Sequence, residues 1–281
     1  MGKGIGLIGN FKGKVGNTVG YKLTASNNGQ TQGIRVYQPI GKNPKSAGQA
    51  EQRAKLLAVN ATYRALKMVI DRGNEGLPYG NKSRLAWLKG ALKSTKMPWI
   101  EKGKPVTAPV GCQITKGGLN SIEYSSVDDQ IKVTIPKVTE GSTISTVGEL
   151  STALLEGNNT LKAGDQLTFV FMGTNEAGMI CDVESFVIDT TSAVSINGLF
   201  NGVKPANNSI TFEGKTAADA VCVIVSRLGE KGEHLRSSET LKFADGITTA
   251  APYDADSKAA AIASYQASAA NNSDWAEESI Q

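Results

Sequence analysis

Chemistry needs groups that hold a proton, a metal or a charge, and this chain is sparing with the first two. Its single histidine, His234, lies in GEKGEHLRSS, which reads as a loop between two strands, and one imidazole without neighbouring cysteines makes no metal cluster. It could serve a serine and a carboxylate brought close by folding, yet no GxSxG elbow frames such a triad and no GxxxxGK[ST] phosphate loop occurs. Cys112, Cys181 and Cys222 are odd in number, far apart and without a CxxC pair, so they read as reduced thiols. Gly4, Gly6 and Gly9 spell GxGxxG, but a dinucleotide fingerprint needs a strand ahead of it, and only Met1 to Lys3 stand there. These residues argue against an enzyme, and no cofactor or metal is expected.

What the chain offers is charge, placed unevenly. From Met1 to Lys104 there are 19 lysines and arginines against Glu51, Asp71, Glu75 and Glu101, a net +15; Pro105 to Gln281 carries 11 basic and 22 acidic residues, a net −11. No acid precedes Glu51. A solvated face rarely excludes one sign for so long, so the leading part should meet something anionic: nucleic acid, or the acidic part of another copy. The cations placed for this are Lys12, Lys14, Lys22, Arg35, Lys42 and Lys45. Trp87 and Trp99 lie among lysines and Arg84, where they could stack on the bases of a single strand, although such tryptophans more often pack a helix onto its domain.

The element that must organise these residues is the stretch NPKSAGQAEQRAKLLAVNATYRALKMVIDR, Asn43 to Arg72. Ser46 and Gln49 make a Ser-x-x-Gln capping box, and Gly73 stands where a left-handed cap would close the helix. Its apolar residues form two stripes, Ala54-Leu57-Ala58-Ala61-Ala65-Met68 and Leu56-Val59-Tyr63-Leu66-Ile70, leaving a narrow polar strip. A helix this widely apolar is either a core helix or one whose small-residue stripe (Ala54, Ala58, Ala61, Ala65) packs a second subunit. Ahead of it, pieces around Thr18–Thr24 and Gly33–Tyr37, joined through Asn28-Gly29, predict a β-hairpin on a basic arm. Behind it, Asn81–Lys93 predicts a second helix with Leu85, Leu88 and Leu92 on one side, and Pro105 and Pro109 mark a linker.

From there the pattern turns to strands at Gln130–Val138, Leu167–Met172, Met179–Ile188, Ser209–Glu213, Ala220–Val225 and Glu239–Phe243, with helices at Thr146–Glu156 and Asp256–Ala270 and an acidic tail holding Trp275. Leu167–Met172 is apolar at nearly every residue and should be covered on both faces. The fold class expected is α+β: an N-terminal hairpin arm, a long helix with a short second one, then an antiparallel β-sandwich with inserted helices. The divisions are 1–42, a basic glycine-rich arm; 43–104, helical; 105–248, the sandwich; and 249–281, a C-terminal helix and tail. No apolar run is long enough to span a membrane and MGKGIGLIGNF lacks a secretory leader, so no membrane partner is expected.

Two blocks of sequence bear a likeness to known proteins. Gly9, Phe11, Gly13, Lys14, Gly16 and Gly20, followed by Asn43, Pro44, Gln49, Gln52, Arg53 and Lys55, resemble the glycine-rich opening and the NPxTxxQxxQR helix start of a family of uncharacterised proteins from Bacteroidetes and their bacteriophages. Ser226, Arg227, Leu235, Arg236 and Ser237 are similar to that family's C-terminal β motif, and Leu56 replaces its usual aromatic. The family carries no activity to transfer; the resemblance implies a phage or prophage product. Together with the charge split it points to a non-enzymatic virion structural protein, a capsid or other assembly component. Its partners would be copies of itself, the phage genome or other virion proteins, and its location the virion and, during assembly, the host cytoplasm. The alternative is a nucleic-acid-binding protein acting through the basic arm.

Overall fold

A computed structural model describes residues 13–15, 18–22, 32–36, 46–127, 130–134, 144–196, 203–206, 209–213, 219–243 and 253–268. The chain forms two compact units, Met1–Pro44 and Lys45–Gln281. In the first, β1 (Gly13–Val15), β2 (Thr18–Lys22) and β3 (Gln32–Val36) make a three-stranded antiparallel sheet in that order. The expected pairing of the segments around Thr18 and Gly33 is present, with Thr18 opposite Val36 and Lys22 opposite Gln32; the Asn28-Gly29 turn lies outside the described residues.

The second unit is an α+β structure built on antiparallel sheets. Helix α1 (Ala47–Ala65) starts at Ser46, whose side chain accepts from the Gln49 amide at 3.4 Å. The single helix expected to Arg72 is broken at Leu66, where the backbone leaves the helical region (φ −103°, ψ 19°), and the chain resumes as α2 (Lys67–Ile70). Across the break Leu66 and Ile70 are buried, while Met68, expected on the alanine-rich stripe, is 79% exposed. Gly73 is not a left-handed cap. It is glycine because a Cβ there would sit 2.9 Å from the Ile114 carbonyl, and its own carbonyl accepts from Lys116 N.

Helix α3 (Asn81–Lys93) has the predicted bounds. Leu88 and Leu92 of the expected side pack against the helical core, but the buried line runs through Ser83, Trp87 and Ala91, and Leu85 is 52% exposed. Hydrogen bonding fixes this rotation: Ser83 Oγ donates to the Ile70 carbonyl at 2.7 Å, and Trp87 Nε1 to the Gln113 carbonyl at 2.9 Å.

The central sheet holds β6 (Gln166–Asn175), β7 (Gly178–Val187), β10 (Ala220–Leu228), β11 (His234–Arg236) and β12 (Lys242–Phe243), in the order β11-β10-β6-β7 with β12 also on β10. A four-stranded sheet has the order β4-β5-β9-β8, from β4 (Tyr124–Val127), β5 (Gln130–Thr134), β8 (Val203–Ala206) and β9 (Ser209–Glu213). Helix α4 (Val147–Gly157) opens with a complete capping box, Thr146 with Glu149, and the last helix, α5 (Ala255–Ser268), packs along α1.

Alternation along the central strands divides the interior in two. Leu167, Phe169 and Phe171 of β6 and Val221, Val223 and Val225 of β10 join α4 and Ile131, Val133, Ile210 and Phe212 of the four-stranded sheet in one core. Val170, Met172, Ala220, Cys222 and Ile224, the intervening residues, belong to the other core with α1, α2 and α3. The two-sided cover expected for Leu167–Met172 is therefore present.

Residues 105–114 are no linker. Val106, Ala108, Val110, Cys112 and Ile114 are buried in the helical core, spaced two apart as in an extended chain with one inner face. Tyr253 Oη pins this run by accepting from Val110 N and donating to the Ala108 carbonyl, both at 2.9 Å. Helical segment, strands and terminal helix thus share one compact unit.

Phe169 stacks on Phe212 at a centroid distance of 4.3 Å and on Phe186 at 6.1 Å, with 1% exposure. Phe169→Ala is expected to cost about 3–5 kcal/mol of unfolding free energy, measured by denaturant titration, whereas Met68→Ala should change it by less than about 0.5 kcal/mol.

Candidate interaction surface

Of the cations placed for an anionic partner, Lys14 lies on β1, Lys22 on β2 and Arg35 on β3, while Lys12, Lys42 and Lys45 fall outside the described residues. The register makes Val19 the partner of both Lys14 and Arg35, so these two positions flank one residue of the middle strand; Lys22 pairs with Gln32 instead. In the second unit Arg64, Lys67, Arg72, Lys82, Lys89 and Lys96 are all exposed along the segment from α1 to the end of α3 and its following loop.

Among the described residues, an ion pair that joins the two parts, Lys258 to Glu51 at 3.3 Å, takes its cation from the acidic part. Glu51 also meets Lys55 at 3.1 Å, and the two lysines, Lys55 first, hold its carboxyl below the usual range. Both ammonium groups lie over the Trp99 ring, at 5.5 and 5.1 Å from its centroid, so this tryptophan is engaged by cations of its own chain. Trp87 is 6% exposed and packs α3 onto the core, which removes it as a stacking platform for bases.

The alanine stripe is closed from within. Ala54 and Ala58 have no exposed surface and Ala61 and Ala65 are half-buried, because the helical core and α5 cover this side of α1. It offers no open seam at Ala54 or Ala58 for a second subunit.

His234 is the first residue of β11, not part of a loop, and its ring lies 4.9 Å from that of Tyr79, which also has Arg72 above it at 5.6 Å. Glu75 accepts from the amides of Gly118 at 2.9 Å and Arg236 at 3.0 Å, tying the 73–80 loop to β11. No group of three or more His, Cys, Asp or Glu suited to a metal occurs among the described residues. The cysteines are free, and burial pushes the thiols of Cys112 and Cys181 up to about 12 and that of Cys222 higher still, so at neutral pH none is a nucleophile.

Compared with family models, curated proteins and solved structures, the chain matches none. Its chemistry is therefore read from geometry alone. The residues that resemble a C-terminal β motif hold the β10–β11 hairpin: Ser226 faces Arg236 and Arg227 faces Leu235 in register, and Arg236 Nη1 donates to Ser226 Oγ at 2.7 Å. Arg227 clamps the fully buried Asp165 through Nε at 2.6 Å and Nη2 at 2.7 Å. Ser237 N donates to the Val225 carbonyl, and Ser237 Oγ accepts from Val225 N.

One group that sequence reasoning passed over is Glu239, 3% exposed, with Oε1 lacking a hydrogen-bond partner. Burial raises its pKa against the lowering effects of Ser121, Ser237 and Lys242. A carboxyl whose folded pKa lies above its unfolded value makes the protein lose stability as pH rises from the unfolded value through the folded one. The melting temperature of the wild type should therefore fall relative to Glu239→Gln as pH is raised from about 4 to about 8; a constant difference across that range would refute it. Separately, all three thiols should react slowly with a thiol reagent in the native state and rapidly after unfolding in guanidinium.

Proposed function

We propose that this chain is a non-enzymatic structural protein of a bacteriophage virion that assembles in many copies, its basic leading part neutralised by the acidic part of a neighbour. The observation that carries this reading is the segregation of charge along the chain, with a row of exposed cations among the described residues of its leading part. Exposed cations run from Arg64 to Lys96, the ion pair to Glu51 runs the opposite way, and a separate unit from Met1 to Pro44 carries Lys3, Lys12, Lys14, Lys22, Arg35 and Lys42 with no acid. Such an imbalance costs little in a chain whose neighbours supply the opposite sign. The resemblance of Gly9–Gly20, Asn43–Lys55 and Ser226–Ser237 to the phage-associated family supports the virion setting. The two-sheet sandwich belongs to the same reading, supported by the Phe169–Phe212 stack between strands of the two sheets.

A second reading keeps the same cations and gives them to nucleic acid. The exposed row Arg64, Lys67, Arg72, Lys82, Lys89 and Lys96, added to the acid-free first unit, favours it.

Purified protein at low salt is expected to form regular rings or shells in negative stain, which come apart as salt rises. A protein that stays monomeric at high concentration in low salt overturns the assembly reading. For the second reading, retention on immobilised DNA should fall steeply with salt and drop further in Lys14→Glu/Lys22→Glu/Arg35→Glu; retention unchanged by that triple substitution overturns it.

A further inference from the structure

Strand edges are where sheet proteins are open to one another, because an edge presents unpaired amide and carbonyl groups. Most edges in this structure are short or guarded. β4 has 4 residues, β11 has 3 and β12 has 2, while β8 has 4 and contains Pro205, which has no N–H to offer.

β7 is different. Its 10 residues, GMICDVESFV, pair one-to-one with β6 from Gln166↔Val187 to Asn175↔Gly178, without a bulge, a proline or a lysine. Among the described residues its other edge has no strand partner in the sheet order β11-β10-β6-β7. The strand itself is well anchored: Met179 and Cys181 pack on the helical core and Phe186 lies in the other. Beside the open edge, Val183 and Val187 are 42% and 51% exposed, and β-branched residues are the type that strand addition favours. A long, regular edge without a bulge, a proline or a lysine is open to strand addition by a partner.

The signs of charge indicate which partner. No lysine or arginine occurs between Lys162 and Lys204, a stretch that holds Glu176, Asp182, Glu184 and Asp189. Two β7 edges set against each other would bring like charges together, which opposes a symmetric β7–β7 pair. The chain also supplies a strand of the opposite kind. β3 (Gln32–Val36) is an edge of the β1-β2-β3 sheet, contains Ile34, Arg35 and Val36, and belongs to a segment with no acid before Glu51.

We propose that the open edge of β7 is the docking site for strand β3 of a second copy of this chain, an inference that rests on the assembly reading above. Pairing β3 of one copy with β7 of the next is head-to-tail, so each copy retains one free donor and one free acceptor. Repetition then gives a ring if the rotation closes and a filament if it does not.

The test uses full-length protein, sized by light scattering across a concentration series at low salt. Val183→Lys/Val187→Lys places guarding lysines beside the edge at exposed positions, and Arg35→Glu reverses the charge on the incoming strand. Both are expected to raise the concentration needed for assembly at least about tenfold, with the far-UV circular dichroism of the wild type retained. If the wild type assembles and the double-lysine protein assembles equally well, the β7 proposal is overturned while the assembly reading stands. If the lysines block assembly and Arg35→Glu does not, β7 is an interface and β3 is not its occupant. Hydrogen exchange on the unaltered protein gives a check free of folding defects: β7 amides should gain protection on assembly, and unchanged β7 protection overturns the proposal.

Discussion

Two strands, β6 and β10, lie side by side with apolar residues on both faces, and the rest of the second unit is arranged to cover them. Odd-numbered residues from Leu167 to Phe171 face one core and the intervening Val170 and Met172 the other, while β10 repeats the division from Ala220 to Val225. Neither face can be left to water, since each buried large side chain contributes on the order of 1.5–3 kcal/mol. One face is covered by α4 with the four-stranded sheet and the other by α1, α2, α3 and the extended run at 105–114. That requirement is why a basic helical segment and a β-rich acidic segment end in one compact unit.

Several polar groups drawn inside by this arrangement are paired. Thr62 Oγ1 donates to the Ala58 carbonyl, Thr115 Oγ1 to the Ser237 carbonyl, Ser151 Oγ accepts from Asp189 N, and Asp165 is held by both nitrogens that Arg227 turns toward it. These bonds hold a helix turn, loops and strands in place. Among the described residues the buried side-chain atoms without a partner include Glu239 Oε1, Tyr124 Oη, Thr107 Oγ1 and Thr174 Oγ1. Ser226, Arg227, Leu235, Arg236 and Ser237 likewise close a hairpin and carry an ion pair.

Much of this architecture was legible in the sequence wherever period and punctuation agreed. Asn81–Lys93 and Ser209–Glu213 have their predicted bounds, the helix expected at Thr146–Glu156 is α4, and the unbroken apolar run of β6 announced cover on both sides. Where reading failed, a local signal was outweighed by a distant contact. Periodicity ran through Leu66, but the helix breaks there while Leu66 and Ile70 stay inside; of the three leucines expected inside on α3, Leu88 and Leu92 pack on the core, and the hydrogen bonds from Ser83 and Trp87 to Ile70 and Gln113 leave Leu85 out. Pro105 and Pro109 suggested a linker and masked the alternation from Val106 to Ile114. The alanine stripe looked available to a neighbour because nothing in its spacing could say that α5, almost two hundred residues further on, lies along the same helix. The outer place of β7 in the described sheet was equally hidden, since a sequence shows a strand but not which neighbours it takes.

The division of the helical core has a consequence for biosynthesis. Its first contributors, Ala58 through Ile114, leave the ribosome well before Val170, Met172, Ala220, Cys222 and Ile224, against which they pack. Until β10 is made, α1 to α3 have an apolar side with no sheet to rest on, the kind of nascent surface that invites aggregation. The lysines and arginines crowded into that same interval give the unfinished polypeptide a strong positive charge, which keeps copies apart on neighbouring ribosomes until the acidic later part arrives.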